Sequence, residues 1–355
     1  MNKPADASPS PKAAASLSGV TIPAQGFRVV SIDAARAVVM FTMVFVNDLA
    51  GVSPTIVPWW MRHYKADGNG MTFVDLVFPG FLFIAGMSIP CALGARLKRG
   101  EPALRIFGHV VLRVLALLLI GVLMVNESPD SAKLGWSANL WLAGMFTAAI
   151  LAFVSLSPGG PPANPERKRL WHTISIGLRI IGFVALAFFA LSFRGEDGHR
   201  IITFSPFSIH TEWYGILGLI GWAYLVAASV FLAFRDNRAA LLGSMVLLFC
   251  LYAAERTGLF SDFWLERYVG IGGALGSQAA ISVGGVLLAS ALLSPDFATA
   301  GRRVQFALWF IGGCLAGALL LHGLYGINKN SATPSWCHWA CVATTALWLP
   351  LHYLC

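Results

Sequence analysis

The chain returns ten times to apolar stretches of roughly bilayer-spanning length, near residues 34–51, 71–93, 105–125, 139–157, 173–193, 212–234, 239–254, 276–294, 304–322 and 338–355. A helix that crosses a hydrocarbon core of about 30 Å needs about 20 such residues. In lipid every backbone polar group must be satisfied within its own segment, so a run of this kind is read as a helix. With 57% hydrophobic and only 12% charged residues among 355, the chain has too little polar surface to cover a water-soluble globule. The fold expected is therefore all-α: a polytopic membrane helix bundle of about ten transmembrane helices. The seventh stretch is the shortest, and the last ends at Cys355 with no polar tail, which reads as a truncated C-terminus.

Basic residues orient the bundle. The N-terminal segment and the even-numbered loops hold Lys3, Lys12, Arg28, Arg96, Lys98, Arg99, Arg105, Arg167, Lys168, Arg169, Arg235, Arg238, Arg302 and Arg303. Odd-numbered loops hold fewer, Arg62, Lys65, Lys133, Arg194, Arg200, Arg256, Arg267 and Lys329, and most of these stand beside Asp or Glu. Positive loops stay inside, so the N-terminus is expected in the cytoplasm and the odd loops on the other side of an inner membrane. The net charge of +8 is explained by topology and anionic headgroups, without nucleic acid. Residues 1–26, rich in Ala, Ser and Pro and lacking an apolar core, read as a disordered cytoplasmic tail, not a cleaved signal peptide. Residues 27–355 then form one transmembrane domain.

Several chemistries lose support. The six cysteines lie scattered in apolar runs with no C-x-x-C pair, as small buried hydrophobes do, and no metal site is expected. A G-x-x-x-x-G-K-[ST] phosphate loop is missing, which argues against an ATP-driven pump.

What remains to be explained is a set of polar residues at helix ends. A charge inside a span costs roughly 2.5–3.5 kcal/mol by insertion scales, so each should face a partner or a cavity. Asp33 and Arg36, three residues apart at the start of the first span, can pair on one helix face. They either anchor the helix or offer Arg36 to a phosphorylated ligand arriving from the cytoplasm. At the far end of that span stand Asn47 and Asp48, and Asp75 returns to the same depth at the start of the second. Between them Trp59, Trp60, Arg62, His63, Tyr64, Lys65 and Asp67 crowd into one loop. For Trp59 and Trp60 an interfacial belt competes with sugar stacking. His63 is the only histidine of the first hundred residues and can exchange a proton near neutral pH. Asn328, Lys329, Asn330, Ser331, Thr333 and Trp336 form a second polar group on the same expected face, with His210 and Glu212 nearby. Arg113 and Arg179 are embedded cations that either snorkel to lipid phosphate or bind a phosphorylated ligand.

Residues 28–93 resemble the transmembrane acyltransferase family that includes heparan-alpha-glucosaminide N-acetyltransferase. The family pattern opens S-[LI]-D-x-x-R-G, ends its first helix in V-N, carries a His in the next loop, and continues G-[LM]-T-x-x-D-L-V-x-P-x-F. Here it reads Ser31-Ile32-Asp33-Ala34-Ala35-Arg36, Val46-Asn47, His63, then Gly70-Met71-Thr72-Phe73-Val74-Asp75-Leu76-Val77-Phe78-Pro79 and Phe81. Ile327-Asn328-Lys329-Asn330 matches a later N-K-N element. Ala37 stands where the family has Gly, and the Asn47–His63 segment is longer than in the mammalian enzyme.

The resemblance implies transfer of an acetyl group from cytoplasmic acetyl-CoA, as cosubstrate, to an amino sugar or other glycan on the opposite side. His63 would be the catalytic base, Asn47 its supporting donor, and Asp75, ahead of Asp48, the group that orients the imidazole. Asp48, Trp59, Trp60, Asn328, Lys329 and Asn330 would contact the acceptor, and Arg36, Arg113 and Arg179 the phosphates of CoA. Direct transfer is favoured over an acetyl-histidine intermediate, though the sequence leaves both open. The resemblance and the Gly-rich faces allow a homodimer. Without the motif, ten spans interrupted by Gly and Pro would read first as a secondary transporter of a small solute, against which stands the lack of a convincing internal repeat.

Overall fold

The structure, a computed structural model, describes residues 29–53, 55–126, 129–154, 156, 165–204, 207–209, 215–297 and 299–355. The expected tail over 1–26 lies outside the described residues. Each of the ten apolar stretches is a helix: α1 (Val30–Ala50), α2 (Val74–Lys98), α3 (Ala103–Val125), then after the single turn α4 (Ser131–Leu134), α5 (Ala138–Phe153), α6 (Pro165–Ser192), α7 (Gly215–Phe234), α8 (Arg238–Arg256), α9 (Ala279–Leu292), α10 (Ala300–Tyr325) and α11 (Pro334–Leu354). A π-helical segment, Ile271–Gln278, runs directly into α9. A short antiparallel hairpin, β1 (Ile202–Phe204) and β2 (Phe207–Ile209), pairs Thr203 with Ser208.

Among the described residues eight helices are long and apolar enough to cross a membrane, as befits a multi-pass membrane protein. Two of the ten helices fall outside that group: α5 has 16 residues, and α11, at 21 residues, is diluted by Ser, Thr and His. The seventh stretch, the shortest in the sequence, extends to 19 residues as α8 and is long enough.

At the centre lie α2 and the helix formed by the π segment with α9, which is buried along almost its whole length. Their crossing is as close as two backbones allow. A Cβ on Gly86 would fall on the Ser282 carbonyl, and one on Gly285 on the Phe83 carbonyl. With both side chains absent, Ser282 Oγ donates to the Leu82 carbonyl at 3.0 Å, a helix–helix bond of the kind small residues permit in lipid. Around this axis α1, α7, α8 and α11 pack into one apolar core. The α5–α6 hairpin builds a second around Trp141, whose ring meets Phe189 and Phe193 edge-on and whose Nε1 donates to Ser192.

Two prolines interrupt α2. Pro79 and Pro90 have no N–H, so the carbonyls of Asp75 and Gly86 lose their intrahelical donors. Helices α1 and α2 are antiparallel neighbours in the chain, so the end of α2 at Asp75 and the end at Arg96 face opposite sides of the bundle. From Asp75 to Ser88 the axial distance is about 20 Å at 1.5 Å per residue.

Candidate functional site

The first end of α2 is organised by Asp75. Its carboxylate is almost wholly buried, 2% exposed, and yet accepts several hydrogen bonds. Oδ2 takes the backbone N–H groups of Tyr64 and Thr72, both at 3.0 Å. The second of these reaches back three residues to the N–H of Thr72, which stands just before the start of α2. Oδ1 meets His63 Nδ1 at 2.8 Å and the Lys329 ammonium at 3.2 Å. Lys329 Nζ also stands 2.9 Å from His63 Nδ1. Three charged or titratable groups thus share one corner, two from the α2 end and one from a loop more than 260 residues away in sequence.

Nδ1 can either donate to Asp75 or accept from Lys329. The bond to the carboxylate is charge-assisted, and the ammonium already has Oδ1 as an acceptor, so we assign the Nδ1–H tautomer on that ground. His63 Nε2 then carries the lone pair. The imidazole side chain is 48% exposed, so that lone pair is open to a reactant while the opposite nitrogen is held.

The loop that brings Lys329 is fastened to the His63 loop. Asn328 Nδ2 donates to the carbonyls of Ala66 and Gly68 at 2.7 and 3.1 Å, Asn69 Oδ1 accepts from the Ile327 N–H at 2.8 Å, and Gly70 N–H donates to the Ile327 carbonyl at 2.8 Å. Thr72 Oγ1 closes the far side on the Arg62 carbonyl at 2.7 Å. The Tyr64 ring occupies the space in front of Gly70, where a Cβ would lie 2.6 Å from it. Ala332 sits at φ +48°, a left-handed conformation that costs a non-glycine residue of order 1–3 kcal/mol. The surrounding bonds, including Ser331 N–H to Asn328 Oδ1, hold it there.

Other expected site residues fall as follows. Asn47 and Asp48 lie exposed in the last turn of α1 and make no side-chain hydrogen bond to the described residues. Trp59 and Trp60 form an exposed helical turn, Trp60 tilted against Phe73 at 5.8 Å. The side chain of Asn328 is consumed in joining the two loops, and Asn330 Nδ2 adds a long contact of 3.4 Å to Ala66. His210 and Glu212 lie outside the described residues.

At the opposite end of α2, Arg36 Nη1 pairs with Asp33 at 3.0 Å and Nη2 donates to Ser88 Oγ at 2.7 Å. Both border a cavity of about 490 Å³ between α1 and α2, rimmed by Cys91, Arg96 and Arg99. Arg96 and Arg99 both reach Glu101, at 2.7 and 3.4 Å, and the hydrogen bond from Arg96, helped by the charge of both, holds the Glu101 carboxyl below its ordinary range. Arg113 and Arg179 do not line this cavity. Arg113 lies over the Tyr224 ring at 5.2 Å, and Arg179 Nε donates to the Val154 carbonyl beyond the end of α5. Ser88, Arg96 and Arg99 were not marked by the sequence as ligand contacts, because only their position against Arg36 gives them that meaning.

Residues 28–197 match the family model described as a domain of unknown function, DUF5009. Heparan-alpha-glucosaminide N-acetyltransferase of Homo sapiens is 37% identical over 109 residues, and its Mus musculus counterpart 37% over 105. These stretches cover 31% and 30% of this chain and 15% of each relative, so the chain matches only a small part of those proteins. The resemblance to this acetyltransferase is thus direct. The family match spans His63, Asp75 and Arg36, whereas Lys329 lies beyond it.

Proposed function

We propose that the chain is a membrane-embedded acyltransferase that moves an acetyl group from acetyl-CoA on the cytoplasmic side to an amino sugar or glycan on the periplasmic side of an inner membrane. The observation that carries this reading is the placement of the His63–Asp75–Lys329 cluster and the arginine-rimmed cavity at opposite ends of one helix, α2. The named relatives, both N-acetyltransferases, supply the reaction class.

The cavity suits the donor. CoA carries phosphates, and Arg36, Arg96 and Arg99 offer planar forks for them. Ser88 and Cys91 continue the same wall of α2 toward the bilayer interior. At the far end the acceptor amine is a poor nucleophile until it gives up a proton. His63 Nε2 takes that proton while the nitrogen attacks the thioester carbonyl, which forms the C–N bond; the C–S bond then breaks and the leaving thiolate takes the proton back from the imidazolium. Asp75 fixes the ring through Nδ1 throughout. Lys329, on the Nδ1 side of the ring, offsets the charge of the Asp75 carboxylate with which it pairs; the donor to the developing oxyanion is Asn47, as the resemblance implies.

The test is transfer of labelled acetyl groups from acetyl-CoA to glucosamine by membranes that hold the full chain, with His63→Ala alongside. Acetylated product from the wild type and a fall of about 10²–10⁴-fold in the variant are expected. Uptake of solute without modification would instead identify a transporter, and normal turnover in His63→Ala would remove the imidazole from the mechanism.

A further inference from the structure

Beside the His63 cluster lies a second cavity, about 280 Å³, near the lower end of the range of roughly 300–1,000 Å³ usual for small-ligand sites. The two loops that carry His63 and Lys329 form part of its wall through Asp67, Asn69 and Asn328, and the rest comes from Tyr325 of α10 and from Tyr252 and Arg256 of α8. The wall is stiff where the loops are joined, since the Asn328 amide is spent on Ala66 and Gly68. Tyr252 and Tyr325 stand edge-on at 5.4 Å.

Arg256 is the unusual member. It is exposed, it lines the cavity, and among the described residues no carboxylate pairs with it. Its neighbour Glu255 is turned away from it, accepting the backbone N–H groups of Gly272 and Gly273 at the start of the π segment. Asp67 is likewise exposed and makes no ion pair among the described residues. The cavity therefore presents a guanidinium and a carboxylate that make no ion pair among the described residues, and its wall includes parts of the two loops that carry His63 and Lys329. A hexosamine without an acidic group would use the carboxylate and leave the guanidinium idle.

We propose that this cavity is the acceptor site and that Arg256 recognises an acidic group, carboxylate or phosphate, on the amino sugar whose amine gives its proton to His63. The inference rests on the acyltransferase reading for its reaction, but not for its binding step. Two plainer duties compete for Arg256: a favourable charge at the C-terminus of α8, and a contact to lipid phosphate. A lysine would serve both, whereas a bidentate contact to an oxyanion needs the guanidinium fork.

The experiment uses the full chain in neutral detergent. Saturable binding of labelled glucosamine 6-phosphate and of muramic acid is measured with unlabelled glucosamine as competitor, for wild type, Arg256→Gln and Arg256→Lys. Then kcat/KM for acetyl transfer is compared between each acidic probe and glucosamine. The wild type is expected to prefer an acidic probe, the two probes separating phosphate from carboxylate. Both variants should cut that preference, Arg256→Gln by about tenfold or more, the loss of one charge-assisted contact. No saturable binding, or an acidic-to-neutral preference equal in wild type and Arg256→Gln, overturns the proposal. Wild-type behaviour of Arg256→Lys also overturns it and assigns the arginine to the helix end or to lipid. Arginine-dependent binding without any acetyl transfer keeps the acidic-sugar site and refutes the acyltransferase reading instead.

Discussion

Asp75→Asn is the sharpest test of the cluster, because the side chain keeps its shape and loses its charge. In the wild type Oδ2 faces two backbone donors, Tyr64 N–H and Thr72 N–H, while Oδ1 faces His63 and the Lys329 ammonium. An asparagine must turn its NH2 toward one of these pairs. Against the backbone donors it would set N–H against N–H in a site only 2% exposed, with no alternative partner, and burying an unsatisfied donor costs about 1–3 kcal/mol. Toward His63 and Lys329 the conflict can be relieved, because the imidazole can move its proton from Nδ1 to Nε2 and accept from the amide, while the Lys329 ammonium, 29% exposed, can turn to water. The second arrangement wins. It leaves the exposed nitrogen protonated and unable to act as a base. General-base catalysis is worth roughly 10²–10⁴, so kcat should fall by that factor, about 2.7–5.4 kcal/mol of barrier at 1.36 kcal/mol per tenfold. The KM for acetyl-CoA should hold, since the arginine-rimmed cavity lies about 20 Å along α2. Steady-state transfer to glucosamine by the purified variant, with its thermal unfolding midpoint as the control for folding, measures both. A folded Asp75→Asn protein with kcat close to wild type would refute the tautomer argument and with it the role given to Asp75.

Further outcomes follow from the same geometry. Lys329→Met leaves the His63–Asp75 bond and the Asn328 bridge in place, so kcat should fall by only about tenfold, ~1.4 kcal/mol, with an unfolding midpoint near that of wild type; a loss as large as that of Asp75→Asn would make the ammonium an essential group. Arg36→Gln removes the fork that bridges Asp33 and Ser88, and the KM for acetyl-CoA should rise about tenfold while kcat holds. An unchanged KM there would return Arg36 to a role in anchoring α1. Gly285→Val sets a side chain on the Phe83 carbonyl, which as backbone cannot yield, so α2 and α9 must part at a cost of about 1–3 kcal/mol; an unfolding midpoint equal to that of wild type would show that the crossing is looser than the structure has it.

The apolar stretches by themselves determined that the chain is a helical membrane protein, since in lipid a backbone that cannot find water must bond to itself. Length along the sequence does not reveal where a helix ends, so α5 is shorter than its apolar stretch and α8 longer. One half of the cluster was readable through the motif, whose resemblance paired Asp75 with His63, and the two lie only 12 residues apart in the chain. Lys329 was different. It was legible as a polar residue in an N-K-N element, but its place against His63 and Asp75 depends on α10 and α11 delivering the 326–333 loop to the end of α2, and on Asn328 and Asn69 fastening it there. Arg256 counted only among the cations of the odd loops, since a cation in the last turn of a helix has an ordinary explanation until a cavity is found beside it. The same holds for Arg113 and Arg179, which looked alike in sequence and went to a tyrosine ring and a carbonyl. Composition and periodicity act over a few turns of one helix and were enough to choose the solvent and the secondary structure. Which charges meet is settled by contacts between segments hundreds of residues apart, and only the packed bundle decides those.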